Sequence, residues 1–412
     1  MPVVVACASL VGLKGVAAAQ TPPEPPFEVE QRPGLWRAGS VYITPKLRIG
    51  TLGLDSNVFY TPTERQADFT ASGGPGLELV LPLGSLELRS EGYLDYLYFA
   101  RTESQRRWSG GGRGQLRWER GRVELDLEQA FTRMFQRPSF EVDRRVLQDQ
   151  WTTRGDLVVR IVGGLSLALQ AMRLENEVEQ DAAFLGADLT TSLTREETKG
   201  VAELRQSLTP KTSLLLGGDQ QADRFPLDES RDGDSNRAYG GFLIESTTRL
   251  SGRAVGGVRF YRPLDASRGE DFREPYLEAS LQYVFGPRTE LGARYLRDLH
   301  VSAFDPTSGA PLLTRESSEL RLLKGLPARF DIQVFGSMTT LTSLASITVV
   351  GPGGSETAIR DDEVWQAGAD LGFRFRSHYR LAFGATYTDR RSTFDDFGIE
   401  GLLLGATLTY IP

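Results

Sequence analysis

The stretch "LGLDSNVFYTPTERQADFTASGGPGLELVLPLGSLELRS", residues 52–90, contains the three kinds of segment that decide the fold. It leaves one alternating segment, passes through a polar loop and enters a second alternating segment. A tight turn at Leu83-Gly84 then leads directly into a third. Because side chains of a β-strand point alternately to opposite faces, this pattern predicts long antiparallel strands joined by one long loop and one short turn.

The two-residue period continues along the chain. Between residues 86 and 98, Leu88 and Leu94 fall on one face of the predicted strand, whereas Glu87 and Glu91 fall on the other. The segments last roughly ten to fourteen residues, longer than the ~5–6 usual in soluble strands and sufficient for the ~9–11 that cross a bilayer at a tilt. The alternation therefore predicts a sheet with one apolar and one polar face, standing in a membrane.

About eighteen such segments lie between Val41 and Tyr410. We predict strands at residues 41–51, 67–82, 85–101, 106–119, 122–135, 147–162, 165–178, 191–208, 211–223, 234–247, 250–262, 271–285, 288–300, 314–325, 328–341, 361–375, 379–391 and 397–410. An even number of strands lets both ends of the chain lie on the same side of the membrane.

The connections alternate in length. Those after the even-numbered strands are short, as at Arg120-Gly121, whereas those after the odd-numbered strands are long and polar, as at residues 342–360. A β-propeller would have four short strands in each repeat, and a β-sandwich would not alternate its connections so regularly. The predicted fold is therefore an all-β, transmembrane, antiparallel up-and-down barrel over residues 41–412, with short periplasmic turns and long extracellular loops.

Aromatic residues recur near the predicted strand ends, where they suit the girdles that flank the apolar band of a membrane barrel. Ordinary packing along the strand is the alternative explanation for each of them. The residues are Trp118, Tyr283, Phe285, Phe375, Tyr379, Tyr387 and Tyr410.

The first residues predict export from the cytoplasm. Residues 1–19 contain an apolar run and end in Ala17-Ala18-Ala19, the small-residue pattern of a cleaved signal peptide. Residues 20–40 are rich in proline and are predicted to be a periplasmic tether. The segment around Cys7 also resembles a lipoprotein processing site, the weaker alternative because its apolar run is short. Together with the barrel, the signal predicts location in the bacterial outer membrane.

Composition limits the possible chemistry. The net charge of −7 argues against binding to nucleic acid, which favours basic surfaces. One cysteine and two histidines, His300 and His378, leave no Cys/His metal cluster, and the acidic pairs in the loops are interpreted as solvated. An outer-membrane hydrolase could use Asp298 and His300, which share a strand face. The favoured interpretation is that the protein has no enzymatic activity, cofactor or metal.

The opening stretch resembles a known family. The chain has Asp55-Ser56-Asn57-Val58-Phe59, then Asp68-Phe69, then Pro75-Gly76-Leu77-Glu78-Leu79, and "YLDYLYFA" at 93–100 resembles a tyrosine-rich third strand. This order is similar to that of the beta-barrel porin 2 family of outer-membrane barrels. The resemblance implies a large barrel of a kind often encoded beside exopolysaccharide-secretion machinery. Barrel proteins commonly end in phenylalanine, whereas this chain ends in Tyr410-Ile411-Pro412.

The polar face should line the inside of the barrel. We predict that its charged side chains and tyrosines form a polar wall and that some contact passing sugars, with arginines pairing with uronate carboxylates. The candidates are Glu87, Arg89, Glu91, Tyr93, Asp95, Arg113, Arg117, Glu124, Asp126, Glu128, Tyr276, Glu278, Glu290, Arg294, Asp370, Arg374 and Arg380. A polar wall without specific contacts is the simpler alternative, since any water-filled barrel needs one.

About eighteen strands predict an aqueous channel and not a packed core. The predicted function is an outer-membrane, porin-like channel that exports an exopolysaccharide. A structural barrel whose loops fill the lumen and a general diffusion porin are the alternatives. The predicted partners are outer-membrane lipid, the polysaccharide cargo, periplasmic polysaccharide-export components and the outer-membrane barrel assembly machinery.

Overall fold

The computed structural model describes residues 36–244, 249–265, 270–286, 288–304, 312–351, 354–375 and 379–410. The strands are β1 Trp36–Ala38, β2 Val41–Asp55, β3 Asp68–Leu83, β4 Leu86–Phe99, β5 Arg107–Arg120, β6 Val123–Gln136, β7 Val146–Arg160, β8 Leu165–Val178, β9 Ala183–Phe184, β10 Ala187–Asp188, β11 Arg195–Thr209, β12 Thr212–Arg224, β13 Gly233–Ile244, β14 Leu250–Pro263, β15 Phe272–Gly286, β16 Thr289–Val301, β17 Leu312–Gly325, β18 Phe330–Gly351, β19 Gly354–Phe375, β20 Tyr379–Ser392 and β21 Ile399–Tyr410. The short α-helix α1 spans Leu189–Leu193.

The sheet closes on itself. Each long strand pairs antiparallel with the next long strand in the chain, and β11 pairs with β8 across the intervening segment. Closure is completed by β2 and β21, which pair from Arg48↔Thr409 to Asp55↔Leu403. The result is an antiparallel up-and-down barrel of 18 strands, which confirms the predicted fold class.

Three predicted segments differ from the structure by four residues or more. The first strand, predicted to end at residue 51, continues to Asp55. The strand predicted to begin at residue 191 begins at Arg195, because the Asp188 side chain accepts a hydrogen bond from the Thr190 amide (2.9 Å) and starts α1. The connection predicted at residues 342–360 is an extension of the hairpin. There β18 and β19 continue to pair from Ser346↔Ile359 to Gly351↔Gly354 after a register shift.

The described residues begin inside the predicted tether. Its last part contains β1, which pairs with the start of β2 through Trp36↔Ile43. The predicted signal peptide, Cys7, most of the tether and His378 lie outside the described residues. In the part of the chain that the structure describes, no helix is long and apolar enough to span a membrane.

The outer face is apolar and ends in aromatic clusters. Large side chains such as Leu320 (60% exposed) and Phe383 (59% exposed) point away from the barrel. At the end with short turns, the Phe375 ring stacks on Tyr379 (5.3 Å between centroids), and Tyr379 contacts Tyr410 (5.1 Å). From Trp365 to Phe375 the outer face of β19 is lined with apolar residues over a height of roughly 25 Å, the thickness of a membrane barrel's apolar band.

This apolar exterior predicts that a charged side chain destabilises the barrel more strongly the nearer it lies to the middle of the apolar band. Replacing Leu371, which is exposed near the middle of the band, with arginine should lower the free energy of unfolding by about 2–4 kcal/mol. Thr386→Arg is the matched control, because Thr386 lies on the opposite face of the neighbouring strand and its arginine would meet water. Urea titration of the barrel folded in lipid vesicles measures both. Equal losses would contradict the assignment of the two faces.

Candidate functional site

The inner face carries ladders of opposite charges between neighbouring strands. On β2–β6, the Lys46 ammonium donates to Glu91 (2.7 Å) and lies 3.1 Å from Glu78. Arg113 reaches both Glu91 (3.1 Å) and Glu128 (3.7 Å). These contacts join five successive strands on the face opposite the exposed leucines. Neighbouring charges therefore neutralise one another along this part of the wall.

Other candidates on this side have similar partners. Arg89 lies 3.6 Å from Glu78 and 3.5 Å from Glu87, and Arg117 lies 3.5 Å from Asp126. Three further predicted residues also have charged partners. Asp95 forms an ion pair with Arg48, and the Arg48 guanidinium also lies above the ring of Tyr93. Glu124 forms an ion pair with Arg160. The structure thus brings the first ten candidates together on one stretch of wall.

A second cluster lies on β11–β16 and is more tightly packed. Glu203, only 2% exposed, accepts hydrogen bonds from Arg253 (2.6 Å), Arg205 (2.8 Å) and Tyr239 (2.8 Å). The Arg237 guanidinium lies 3.9 Å from the centre of the Tyr276 ring. Such a set of partners fixes each side chain and leaves the Glu203 carboxylate fully bonded.

The second cluster also contains Asp298, which the sequence places with His300 as a possible hydrolase pair. Asp298 forms ion pairs with Arg259 (2.7 Å) and Arg237 (3.3 Å). Among the described residues no hydrogen bond joins Asp298 to His300. A carboxylate held by two arginines is not oriented toward the imidazole, so the structure does not assemble an acid–base pair there.

The third cluster lies on β18–β20 and contains three of the predicted residues. Asp331 is 2% exposed and accepts from Arg380 (2.6 Å), and Arg374 lies 3.3 Å from it. Arg380 also donates to Asp370 (2.6 Å). Glu278 lies 4.0 Å from Arg253, whereas Glu290 and Arg294 have no ion pair within the described residues. All seventeen candidates occupy wall positions by strand register, and their contact with a sugar stays a prediction.

Several partners that complete these clusters were not among the predicted residues. Lys46 and Glu78 lie on the first two barrel strands, and Glu203, Arg237 and Asp331 lie farther along the chain. Each alternates with outward apolar residues, so the period of two could have found them. Their pairing could not have been found in this way, because it depends on the register between strands.

Above the wall, loops from different sides of the barrel meet. Val142 in the β6–β7 loop, Leu189 in α1 and Phe397 in the β20–β21 loop are fully buried in one apolar cluster, together with Phe304 of the β16–β17 loop. The strands β6 and β16 are the fifth and thirteenth of the barrel's 18 strands, so their loops come from nearly opposite sides. These loops and the outer end of the β18–β19 hairpin form what we call the loop cap, residues 137–145, 179–194, 302–304, 344–351, 354–358 and 393–398.

Polar side chains in the loop cap and on the strand ends beside it connect the same loops. Glu141, 2% exposed, accepts hydrogen bonds from the Ala303 amide (2.8 Å) and from the Ser302 hydroxyl. Arg360 donates to the Glu141 carbonyl (3.3 Å) and to Asp362 (2.9 Å). Arg390 forms an ion pair with Asp143. The loop cap therefore combines an apolar centre with a buried network of charges and hydrogen bonds.

The motif that carries the family resemblance organises the first loop. Asn57 is fully buried, and its side chain donates to the Thr61 carbonyl (2.8 Å) and to the Glu400 carbonyl (3.1 Å). Asp55 accepts from the Asn57 amide (2.9 Å). Asp68 accepts from the Thr102 amide (2.8 Å). These residues tie the first loop to the last strand and to the next loop, so their role in the structure is architectural.

No family model matches the chain, and no curated protein matches it. Among solved structures, it is similar to OpdK of Pseudomonas aeruginosa with vanillate, at 13% identity and a TM-score of 0.47, over 90% of this chain and 98% of that one. It is also similar to OccK9 (OpdG) of Pseudomonas aeruginosa, at 14% identity and a TM-score of 0.47, over 90% and 98%. The siderophore receptor PirA from Acinetobacter baumannii gives 9% identity and a TM-score of 0.46, over 89% and 80%.

The burial of Glu141 predicts that the loop cap responds to pH. Burial raises the pKa of the Glu141 carboxyl above its ordinary 4.5, and the opposing attraction of Arg360 does not cancel this effect. A carboxyl with a higher pKa in the closed loop cap binds its proton more tightly there than in an open one. Protonation of Glu141 therefore stabilises the closed loop cap fully below pH 4.5, and this stabilisation is lost as the pH rises through the raised pKa.

We expect amide hydrogen exchange in the β6–β7 loop and at residues 302–304 to accelerate as the pH rises through this window, after correction for the intrinsic pH dependence of exchange. Glu141→Gln keeps the shape of the side chain and removes its titration, so its corrected exchange should be flat over the same range. Arg360, Asp362 and Arg315 are the charged groups that act on Glu141 and remain in the variant. An identical pH profile in the two proteins would show that Glu141 is not the titrating group.

Proposed function

We propose that the protein is an integral outer-membrane channel that exports an exopolysaccharide, with its long loops outside the cell. The observation that carries this proposal is the closed 18-strand barrel with an apolar exterior and a charged interior. A barrel of 16–18 strands is wide enough to enclose an aqueous channel. The exopolysaccharide cargo rests on the resemblance of residues 55–79 to the beta-barrel porin 2 family.

The chemistry of the wall suits a long, hydrated cargo. Most wall carboxylates are matched by arginine or lysine, as Glu91 is by Lys46 and Arg113, so no strong field of one sign holds a passing ion. Hydroxyl groups of a sugar chain can exchange hydrogen bonds with such pairs one after another. Arg294 has no ion pair among the described residues and supplies a cation for a uronate carboxylate.

The loop cap favours one alternative function. A structural barrel needs no open passage, and loops that meet across the mouth are what such a barrel would have. A channel with the same structure must open by separating these loops. The two functions therefore differ in whether the buried contacts of Glu141 and Arg360 can be released while the barrel stays folded.

Single-channel recordings in planar bilayers distinguish a channel from a structural barrel. Arg360→Ala removes the partner of buried Asp362, a change that costs about 3–5 kcal/mol in comparable buried pairs, and it should open the loop cap and raise conductance. Arg391→Ala is the matched control, because Arg391 is an exposed arginine (79%) on the neighbouring strand. Absence of conductance in both the native protein and the Arg360 variant would favour the structural barrel.

The cargo and partners are tested in the cell. Deletion of the gene should abolish or reduce surface polysaccharide, and the intact gene should restore it. Removal of residues 1–19 should leave the chain in the cytoplasm, because the chain would then lack the predicted export signal. It would not reach the barrel assembly machinery. A strain with normal surface polysaccharide and a conducting barrel would instead indicate a general diffusion porin.

A further inference from the structure

A groove of about 450 Å³ lies across strands β13–β17. Its floor consists of small residues, Gly252, Ala254, Ala279 and Ala293, whose register places them on the outer face of the barrel. Its walls include Phe242 (51% exposed) and Leu320 (60% exposed). The volume is in the range of small-ligand sites, and the lining is almost entirely apolar.

A polar group lies at the extracellular end of the groove. Tyr295, which lines the groove, donates its hydroxyl hydrogen to Glu316 (2.8 Å). Two residues farther along β16, Arg297 approaches Glu316 (3.5 Å) and Glu274 (3.8 Å). Within the described residues the Arg297 guanidinium makes no hydrogen bond, and its Nε atom is buried without a partner. An arginine that is paired with two carboxylates, and whose terminal nitrogens make no hydrogen bond among the described residues, therefore lies where the apolar groove ends.

The position of the groove restricts what can fill it. It lies in the apolar band, where the surrounding medium is hydrocarbon, and its lining offers dispersion contacts and almost no hydrogen bonds. A second copy whose two-fold axis passed through the groove would face it with the same concave surface and leave it empty. A linear chain with an anionic end matches the groove, and its anionic end would compete with Glu316 and Glu274 for the terminal nitrogens of Arg297.

We propose that this groove binds one acyl chain of a membrane lipid with an anionic phosphate headgroup, whose phosphate oxygens accept hydrogen bonds from Arg297. Hydrocarbon fills the space above Ala254 and Ala279, and the headgroup lies beside Tyr295 and Arg297. The inference rests on the membrane location in the proposed function and is independent of any cargo. It gives the barrel one specific lipid contact on β13–β17, in addition to the general lipid annulus.

Native mass spectrometry of the delipidated, detergent-solubilised full-length barrel, titrated with phosphatidylglycerol or phosphatidylcholine, tests the site. The native barrel should bind one phosphatidylglycerol more tightly than the lipids that follow. Arg297→Gln should lower the preference for phosphatidylglycerol over phosphatidylcholine about fivefold, the effect of one arginine near an anionic lipid. Ala279→Phe should weaken binding of the first lipid of either type about fivefold or more, because the ring occupies the groove.

Ala202→Phe is the matched control, since Ala202 is an exposed outer residue on β11, away from the groove. It should bind lipid as the native barrel does, and heat-modifiable electrophoretic migration checks that each variant is folded. Ala293→Leu narrows the same groove with a smaller change if Ala279→Phe does not fold. The proposal would be overturned if the Ala202 variant lost as much lipid binding as the groove variants, or if the groove variants lost none. It would also be overturned if the native barrel were an oligomer that Ala279→Phe dissociates, because the groove would then be a protein interface. Bilayer conductance is measured separately, so failure here leaves the channel proposal standing.

Discussion

Closure of the sheet between β2 and β21 is the constraint on which the other features depend. Hydrocarbon offers no partner to a backbone N–H or C=O group, so a sheet that spans a membrane must pair its first strand with its last. Here the two strands approach so closely that a side-chain carbon at Gly53 would lie 1.9 Å from the Leu404 carbonyl oxygen. A register shift between Ile49 and Leu52 adjusts the same junction, and β1 pairs with the residues of β2 below it.

Once the sheet is closed, each strand has an inside and an outside, and the charges of the inner face must find partners there. Asp331 illustrates the energetic consequence. It is almost fully buried between Arg380 and Arg374, and a buried carboxylate that lost its partner would cost several kcal/mol. The clusters on β2–β6, β11–β16 and β18–β20 therefore keep the charges of the wall paired as well as making it polar. Glu290 and Arg294, which have no such pairs in the part of the chain that the structure describes, are the candidates most available to a passing molecule.

The sequence could predict the barrel because the relevant signals are local. Alternation places Leu88 and Glu87 on opposite faces without knowledge of any other strand, and the predicted limits of most strands lie within a few residues of the observed ones. The pairing of Lys46 with Glu91 was not predictable in this way, because it requires the register of three strands across 45 residues. The loop cap was harder still, since Glu141 meets Ser302 across 161 residues and no periodic pattern links two irregular loops.

The loop cap and the wall therefore impose different requirements on a channel. Wall pairs such as Arg113–Glu91 lie between neighbouring strands, so they can persist while a molecule passes beside them. The contacts of Glu141 with Ala303 join loops from nearly opposite sides, so they cannot persist if the cargo passes between those loops. Opening must expose Phe397 and Val142 to water and solvate the Arg360–Asp362 pair together. A cargo that makes favourable contacts with these exposed groups would favour the open arrangement, because a ligand shifts such an equilibrium only by its difference in affinity for the two states.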